Sequence, residues 1–464
     1  MNALRISGFH YNLLQQHLYP GDNKEAVAIA LCGRSDYQGN HTLLVQDLLL
    51  VPYGVCDRKS DFIRWPTEVI NTFLERAAKH QLAIVKIHCH PGPDIHEYFS
   101  ELDDESDRLL FRSIHSWLDD NLPHASCIML PDGRLFGRFF NGQMGTETVH
   151  KIAVAGSDVL IWHYQDDRPG IVDEYQLRNL QAFGQRTVHV LNKMKVAVVG
   201  CSGTGSPVIE QLKRLGVGEL ILVDPDFVDG VNLNRIIGTT SADAAAKTMK
   251  VDVMRRGIEE VGMGTKVTTF AAHISRVDII KAIADSDYLI SCVDGTEGRH
   301  NLNLISSFYV LPLMDMGVKL NADGNGGIKN IFGAVHYIQP GGSSLLSRQQ
   351  YSLESLLAES VKRMDQEEYA RNQYLANVNE SQPAVISINM QVAATAVNDF
   401  LARIHPYRNI SNSDVDAIKI DFADGLSYTE TFTEVCPFFR KWVGKGDVEP
   451  LLNSPELSDV KAVL

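Results

Sequence analysis

The run K-V-A-V-V-G-C-S-G-T-G-S-P, Lys195–Pro207, decides the fold. Val196–Val199 reads as a short buried strand, Gly200, Ser202, Gly203 and Gly205 as a tight turn, and Pro207–Leu215 as the helix that follows. Glycine lets the backbone turn sharply and lets an anion approach the N–H groups at a helix N-terminus, where the dipole favours negative charge. Such a turn can also be purely structural. The next strand, Leu220–Val223, ends in Asp224, 24 residues after Gly200, where a ribose-binding acid stands in a nucleotide-binding unit. Strand, glycines, helix, strand and acid together point to a nucleotide or dinucleotide site. Further apolar runs at Val267–Phe270, Tyr288–Cys292 and Leu311–Met314, spaced by helix-length segments, predict a Rossmann-like, doubly wound parallel sheet with helices on both faces.

Upstream the rhythm differs. From Glu25 to about Phe140, candidate strands Ala26–Leu31, Thr42–Val51, Leu82–Ile87, Ala125–Leu130 and Leu135–Phe140 mix with candidate helices Thr67–His80 and Glu105–Asp119, which reads as a small α+β domain. Gln165–Gly170 is polar and turn-forming, and a helix runs from about Glu174 toward Lys193. Residues 406–464 read as a short irregular tail.

At 464 residues the chain is long enough for two or three domains. A formal charge of −14 argues against nucleic acid or an anionic membrane as the main partner, because both reward a basic surface. Seven scattered cysteines without a C-x-x-C pair suit reduced thiols, and no apolar run reaches membrane-spanning length, so the expectation is a cytoplasmic protein.

The segment L-V-D-P-D-F-V-D-G-V-N-L-N-R, Leu222–Arg235, resembles the signature of the ubiquitin-activating and ThiF/MoeB-type adenylating family. The resemblance continues through Lys250, C-V-D-G-T-E-G-R-H-N at Cys292–Asn301 and the P-A-V-I-S-I-N run from Pro383. It implies that ATP is the cofactor, that Asp224 holds the ribose hydroxyls, that Asn232 and Arg235 contact the triphosphate, that Lys250 stabilises its charge, and that Asp294 holds Mg2+ while pyrophosphate leaves. Arg and Lys aimed at phosphate oxygens suit attack of a carboxylate on the α-phosphate. In plainer terms, Asn232 would serve a turn and Lys250 a solvated helix. Y-Q-L-R-N-L-Q-A-F-G, Tyr175–Gly184, resembles the family's lead-in helix, making Arg178 either a finger reaching a neighbouring subunit's ATP in a homodimer or an ordinary surface arginine.

Family members often carry two C-x-x-C pairs for structural zinc. Here Ser344 and Ser347 stand at the first, and Cys436 with Phe439 at the second, so no structural zinc is expected. Cys436, beside Arg440, Lys441 and Lys445, is either a thioester nucleophile in a mobile tail or a small buried residue.

I-V-K-I-H-C-H-P-G-P-D-I-H-E-Y-F-S-E-L-D, Ile84–Asp103, resembles the JAB/MPN (JAMM) metalloprotease motif. That resemblance implies Zn2+ on His88, His90 and Asp103, Glu25 as general base and Ser100 as oxyanion ligand, or else a degenerate docking domain with surface histidines. The chain is thus divided into a JAB/MPN-like domain (1–160), a linker and lead-in helix (161–192), a ThiF-type adenylation domain (193–405) and a tail (406–464). The implied activity is ATP-dependent activation of a ubiquitin-like protein's C-terminal glycine, followed by thioester formation and transfer to a conjugating enzyme. Fusions of this kind resemble bacterial ubiquitin-like conjugation systems, implying antiphage defence; sulfur-carrier activation or a non-catalytic scaffold are the alternatives.

Overall fold

A computed structural model describes residues 1–93, 95–164, 173–322, 327–364 and 384–457. Asp94, the polar stretch Gln165–Gly170 and Pro383 lie outside the described residues. The chain divides into two units, the first built from Met1–Arg168 with Ser307–Val310 and Trp442–Pro455, the second from Pro169–Ser306, Leu311–Lys441 and Glu456–Leu464.

The first unit holds a nine-stranded mixed sheet. Its spatial order is Val159–His163, Lys151–Ala155, Asn2–Ser7, Asn40–Leu50, Val27–Tyr37, Ala83–Cys89, His124–Met129, Leu135–Phe140, Thr146–Thr148. The strand Val27–Tyr37 shows why it forms: successive side chains point to opposite faces, and both faces are covered. Ala28 and Ala30 join Leu14 and Leu18 of the helix Gly8–Leu18 on one side. Val27, Ile29 and Leu31 meet Phe73 and Leu74 of the helix Asn71–His80, and Phe111 and Ile114 of the helix Glu101–Leu118, on the other. Each fully buried aliphatic or aromatic side chain here contributes roughly 1.5–3 kcal/mol of transfer free energy.

The strand Asn2–Ser7 and the helix Gly8–Leu18 precede the region read as a domain from Glu25. Inward-facing Asn2 and Arg5 interrupt the apolar pattern that would have announced the strand, and Arg5 Nη1 is satisfied by the carbonyl of Tyr309 (3.1 Å). Val159–His163 is likewise a strand, where the sequence reading begins a linker at 161.

The second unit holds eight strands in the order Lys266–Phe270, Glu219–Val223, Lys195–Val199, Tyr288–Ser291, Leu313–Ala322, Ile328–Ile338, Ala417–Asp421, Leu426–Glu430. The first five run parallel, and the remaining pairings are antiparallel, so the sheet is mixed rather than wholly parallel. The helices Gly205–Arg214 and Ile386–Ile404 pack on each other against it.

Of the stretch 406–464 read as an irregular tail, the described part, 406–457, carries regular structure. Ala417–Asp421 and Leu426–Glu430 form a hairpin on the sheet edge, its turn fixed by Gly425 at φ +67° and by Asp421 Oδ1 accepting the N–H groups of Ala423 and Asp424. Trp442–Pro455 completes the first unit: Asp447 Oδ2 accepts the Asp36 N–H at 2.8 Å. A Cβ on Gly33 would lie 2.1 Å from the Gly444 carbonyl, so the glycine permits this close approach. Short alternation with many polar members concealed both pieces.

Candidate functional site

The glycine loop sits at the carboxyl end of the strand Lys195–Val199. Gly200 adopts φ +95°, and a Cβ there would lie 2.4 Å from the Cys292 carbonyl, so glycine is needed on two counts. A Cβ on Gly205 would lie 1.9 Å from the Gly200 carbonyl, and the Ser202 carbonyl accepts the Ser206 N–H at 2.9 Å, closing the turn into the helix Gly205–Arg214.

Asp224, at the end of the neighbouring strand, is buried and bound to the loop: its Oδ2 accepts the Cys201 N–H at 2.7 Å and its Oδ1 the Asp226 N–H at 2.9 Å. Burial pushes its carboxyl up, opposed by the charge of Lys250 3.8 Å away and by these amides. Lys250 opens the helix Lys250–Val261 and is buried, with Nζ 2.7 Å from Asp226 Oδ2. The described structure therefore brings the loop, Asp224 and Lys250 together.

Arg235 reaches the same loop, its Cδ 3.3 Å from where a Cβ on Gly203 would stand. Its Nη1 donates to the Val231 carbonyl and to Asn234 Oδ1. Asn232 is buried and its Oδ1 accepts the Asp229 N–H at 3.0 Å, so it serves the turn that presents Arg235. Asp294 is exposed at the end of the strand Tyr288–Ser291, two residues past Cys292. An exposed carboxylate at this strand end suits Mg2+, which takes few protein oxygens and completes its shell with water and phosphate.

Two neighbours were not legible. Glu359, on the helix Leu353–Met364, accepts the N–H groups of Thr296 (2.6 Å) and Glu297 (3.2 Å) beside Asp294. Asn389, buried on the helix Ile386–Ile404, lies against Gly203. Asn389 ends the P-A-V-I-S-I-N run, where the sequence assigns it no role; Glu359 belongs to no quoted motif, and the fold places both. Arg178 is exposed and bound to Gln181 (2.9 Å) on the helix Leu177–Lys193.

Cys436 is 2% exposed, in place of the mobile tail expected, and its N–H donates to the Gly342 carbonyl at 3.0 Å. Ser344 and Ser347 hydrogen-bond to each other's backbone, while His300 packs on Phe438 and on buried Phe439. Hydroxyls and aromatic rings thus occupy the pattern of the expected ligand pairs, and a thiol buried among them does not fit an exposed nucleophile.

In the first unit, His88 and His90 leave the end of the strand Ala83–Cys89, and Asp103 faces them from the first turn of the helix Glu101–Leu118. His88 Nε2 is 2.9 Å from Asp103 Oδ1 and His90 Nε2 3.5 Å from Asp103 Oδ2. Both His88 nitrogens are buried without a partner in hydrogen-bond geometry. Burial, then the charge of Lys86, lowers the affinity of the His88 ring for a proton. Burial opposes ionisation of Asp103, but the nearby imidazoles of His88 and His90 and the hydrogen bond from Ser100 hold its carboxyl well below the usual range. Ser100 is the helix N-cap: its Oγ donates to Asp103 Oδ2 (2.7 Å) and accepts the Asp103 N–H (3.1 Å), which commits the hydroxyl to the cap. Glu25 is buried, and burial pushes its carboxyl up to about 7 against the charge of His90. Two imidazoles and a carboxylate, with neither His88 nitrogen in hydrogen-bond geometry, form a donor set that fits zinc.

The second unit is therefore a Rossmann-like α/β unit with a glycine loop at a strand's carboxyl end. Residues 175–327 match the ThiF family. The chain is 31% identical over 163 residues to ubiquitin-like modifier-activating enzyme 5 of Drosophila willistoni, covering 32% of this chain and 37% of that protein. It is 28% identical over 145 residues to the adenylyltransferase and sulfurtransferase UBA4 of Meyerozyma guilliermondii, covering 31% and 33%. The chain thus spans about two fifths or less of these relatives' length. A crystal structure of E. coli MccB with ATP superposes with a TM-score of 0.44 at 18% identity, over 57% of this chain and 74% of that one. Among the described residues no helix is long and apolar enough to cross a membrane.

Proposed function

We propose that the second unit adenylates the C-terminal glycine of a ubiquitin-like protein with ATP. The observation that carries this reading is the meeting of Asp224, Lys250 and Arg235 at one glycine loop. Asp224 orients the ribose from a position fixed by loop amides. Arg235 and Lys250 bear on the phosphates, Lys250 by exchanging Asp226 for a phosphate oxygen. The substrate carboxylate attacks the α-phosphorus, the bond to the β-phosphate bridging oxygen breaks, and pyrophosphate leaves with its charge offset by these cations. Asp294 would hold Mg2+, which supplies further charge neutralisation on the phosphates.

The burial of Cys436 supports handing the acyl-adenylate to an acceptor outside this unit, such as the thiol of a conjugating enzyme. The match to a protein named as a sulfurtransferase supports a second reading, in which the acceptor is a sulfur donor. A homodimer in which Arg178 reaches the partner's ATP belongs to the same proposal.

For the first unit we propose a JAB/MPN-type zinc peptidase acting on the same partner, supported by the unpartnered nitrogens of His88. His88, His90 and Asp103 would hold zinc, which supplies an activated water. Glu25, raised toward neutrality, is suited to taking and returning a proton there.

The test is exchange of labelled pyrophosphate into ATP. Exchange is expected with the intact ubiquitin-like partner, and its loss with Asp294→Ala and with a partner lacking the terminal glycine. Exchange indifferent to both changes would overturn the reading.

A further inference from the structure

We infer that Asn389 is an additional ligand of the nucleotide's phosphates, an inference that rests on the ATP-binding reading above. Asn389 comes from the helix Ile386–Ile404, nearly two hundred residues downstream of the glycine loop in sequence. Around it the helix is apolar: Val392, Ala393 and Ala396, one and two turns on, are buried, and the next buried polar residues on the helix, Asp399 and Arg403, are bonded to each other further along. A carboxamide at 4% exposure on such a face costs free energy unless it finds a polar partner. Among the described residues no side-chain hydrogen bond reaches its carboxamide; its backbone N–H goes to the Val385 carbonyl at 3.1 Å.

What it faces is the phosphate loop. A Cβ placed on Gly203 would lie 2.4 Å from Asn389 Nδ2 and 3.3 Å from Arg235 Cδ. Gly203 is therefore bare where Asn389 and the stem of Arg235 converge, and a side chain of any other residue would displace both. Nδ2 carries two N–H donors and no lone pair, so beside a cationic side chain and a loop of backbone amides it complements an anion and nothing basic. The position suits a donor to the phosphates, and the adenosine moiety is the concern of Asp224 at the far side of the loop.

Calorimetric titration of the full chain with ATP and with adenosine tests this. Asn389→Ala is expected to weaken ATP binding about tenfold to a hundredfold, the size of one hydrogen bond to a charged group, with adenosine binding changed less than about twofold. Asn389→Asp, which brings negative charge to the phosphates, is expected to weaken ATP further, and Asn389→Gln to recover part of the loss. Because the loop and helix pack closely, the melting temperature of each variant is compared with the parent chain, and Asn389→Ser supplies a small polar variant should Asn389→Ala fail to fold. Equal loss for ATP and adenosine, or no loss for either in a folded variant, would overturn the assignment while leaving the ATP reading intact. Failure of the parent chain to bind ATP at all would overturn both.

Discussion

Two clusters in the first unit have the same composition, two histidines and an aspartate, His88, His90 and Asp103 in one and His115, Asp120 and His124 in the other, and in each the potential ligand atoms lie within 4.8 Å of one another. Their wiring differs. His88 Nδ1 and Nε2 have no hydrogen-bond partner. His124 Nδ1 accepts the Ile84 N–H at 2.9 Å, so its neutral ring must carry the proton on Nε2, the nitrogen that faces Asp120 Oδ1 at 3.5 Å. A protonated nitrogen has no lone pair for a metal. His115 faces carbonyl oxygens with both nitrogens, Phe140 O at 3.3 Å and Asp120 O at 3.2 Å. The backbone has claimed the second cluster and left the first open. Composition and proximity alone do not make a metal site; the distribution of lone pairs does.

The largest effect expected from this difference is on bound metal. Full-length protein loaded with zinc and dialysed should retain about one ion per chain, His88→Ala should retain almost none, and His124→Ala should retain as much as the parent. Zinc lost equally from both variants, as read by elemental analysis, would erase the distinction. Asp107 sharpens it in stability. One turn beyond Asp103, its two oxygens are taken by Lys86 (2.5 Å) and Arg138 (2.8 Å), and Lys86 is buried. Asp107→Ala should cost about 3–5 kcal/mol in urea unfolding, because it strands a buried ammonium. Asp103→Ala, which strands no cation of that kind, should cost less.

How much of this was legible follows the same line. Leu222–Arg235 announces its site because the residues that meet there are close in sequence and chemically distinctive; Asp224 and Arg235 are held to one loop by a short segment. His88, His90 and Asp103 are found for the same reason. Asn389 and Glu359 are brought in by the packing of distant helices; Glu359 lies in no quoted motif, and Asn389 ends the P-A-V-I-S-I-N run, whose pattern does not say which site its side chain meets. The strand Asn2–Ser7 was hidden by its buried Arg5, and the hairpin Ala417–Glu430 by exposed polar residues on an edge strand. Cys436 was left between nucleophile and buried residue because nearby cations in sequence say nothing about burial; its backbone bond to Gly342 and the aromatic cluster around Phe439 place it inside.

The second cluster should show itself in acid. Burial, opposed by the Asp120 carboxylate 3.5 Å from Nε2 and reinforced by the charges of Arg34 and His115, lowers the His124 pKa to about 4. A histidine with a depressed folded pKa contributes stability that is present above its unfolded value, near 6.5, and lost as pH falls toward 4. Unfolding free energy should therefore decline on the order of 3 kcal/mol across that window on account of this residue, and His124→Gln should flatten the decline while lowering stability at pH 7. An unchanged slope in the variant would mean that other groups set the acid response.

The smallest effect separates a cap from a site. Ser100 and Asp103 exchange hydrogen bonds as a capping box, so the same carboxylate that faces two histidines also ends a helix. Ser100→Ala removes the hydroxyl but leaves the Asp103 oxygens and both imidazoles in place. It should cost about 1 kcal/mol, as loss of an N-cap does, with zinc stoichiometry unchanged. If peptidase activity on a ubiquitin-like conjugate fell far more than this small destabilisation allows, the hydroxyl would be released from the cap to serve bound substrate. If activity fell only in proportion to the folded fraction, Ser100 would belong to the helix alone, and oxyanion stabilisation would have to come from another donor near Asp103.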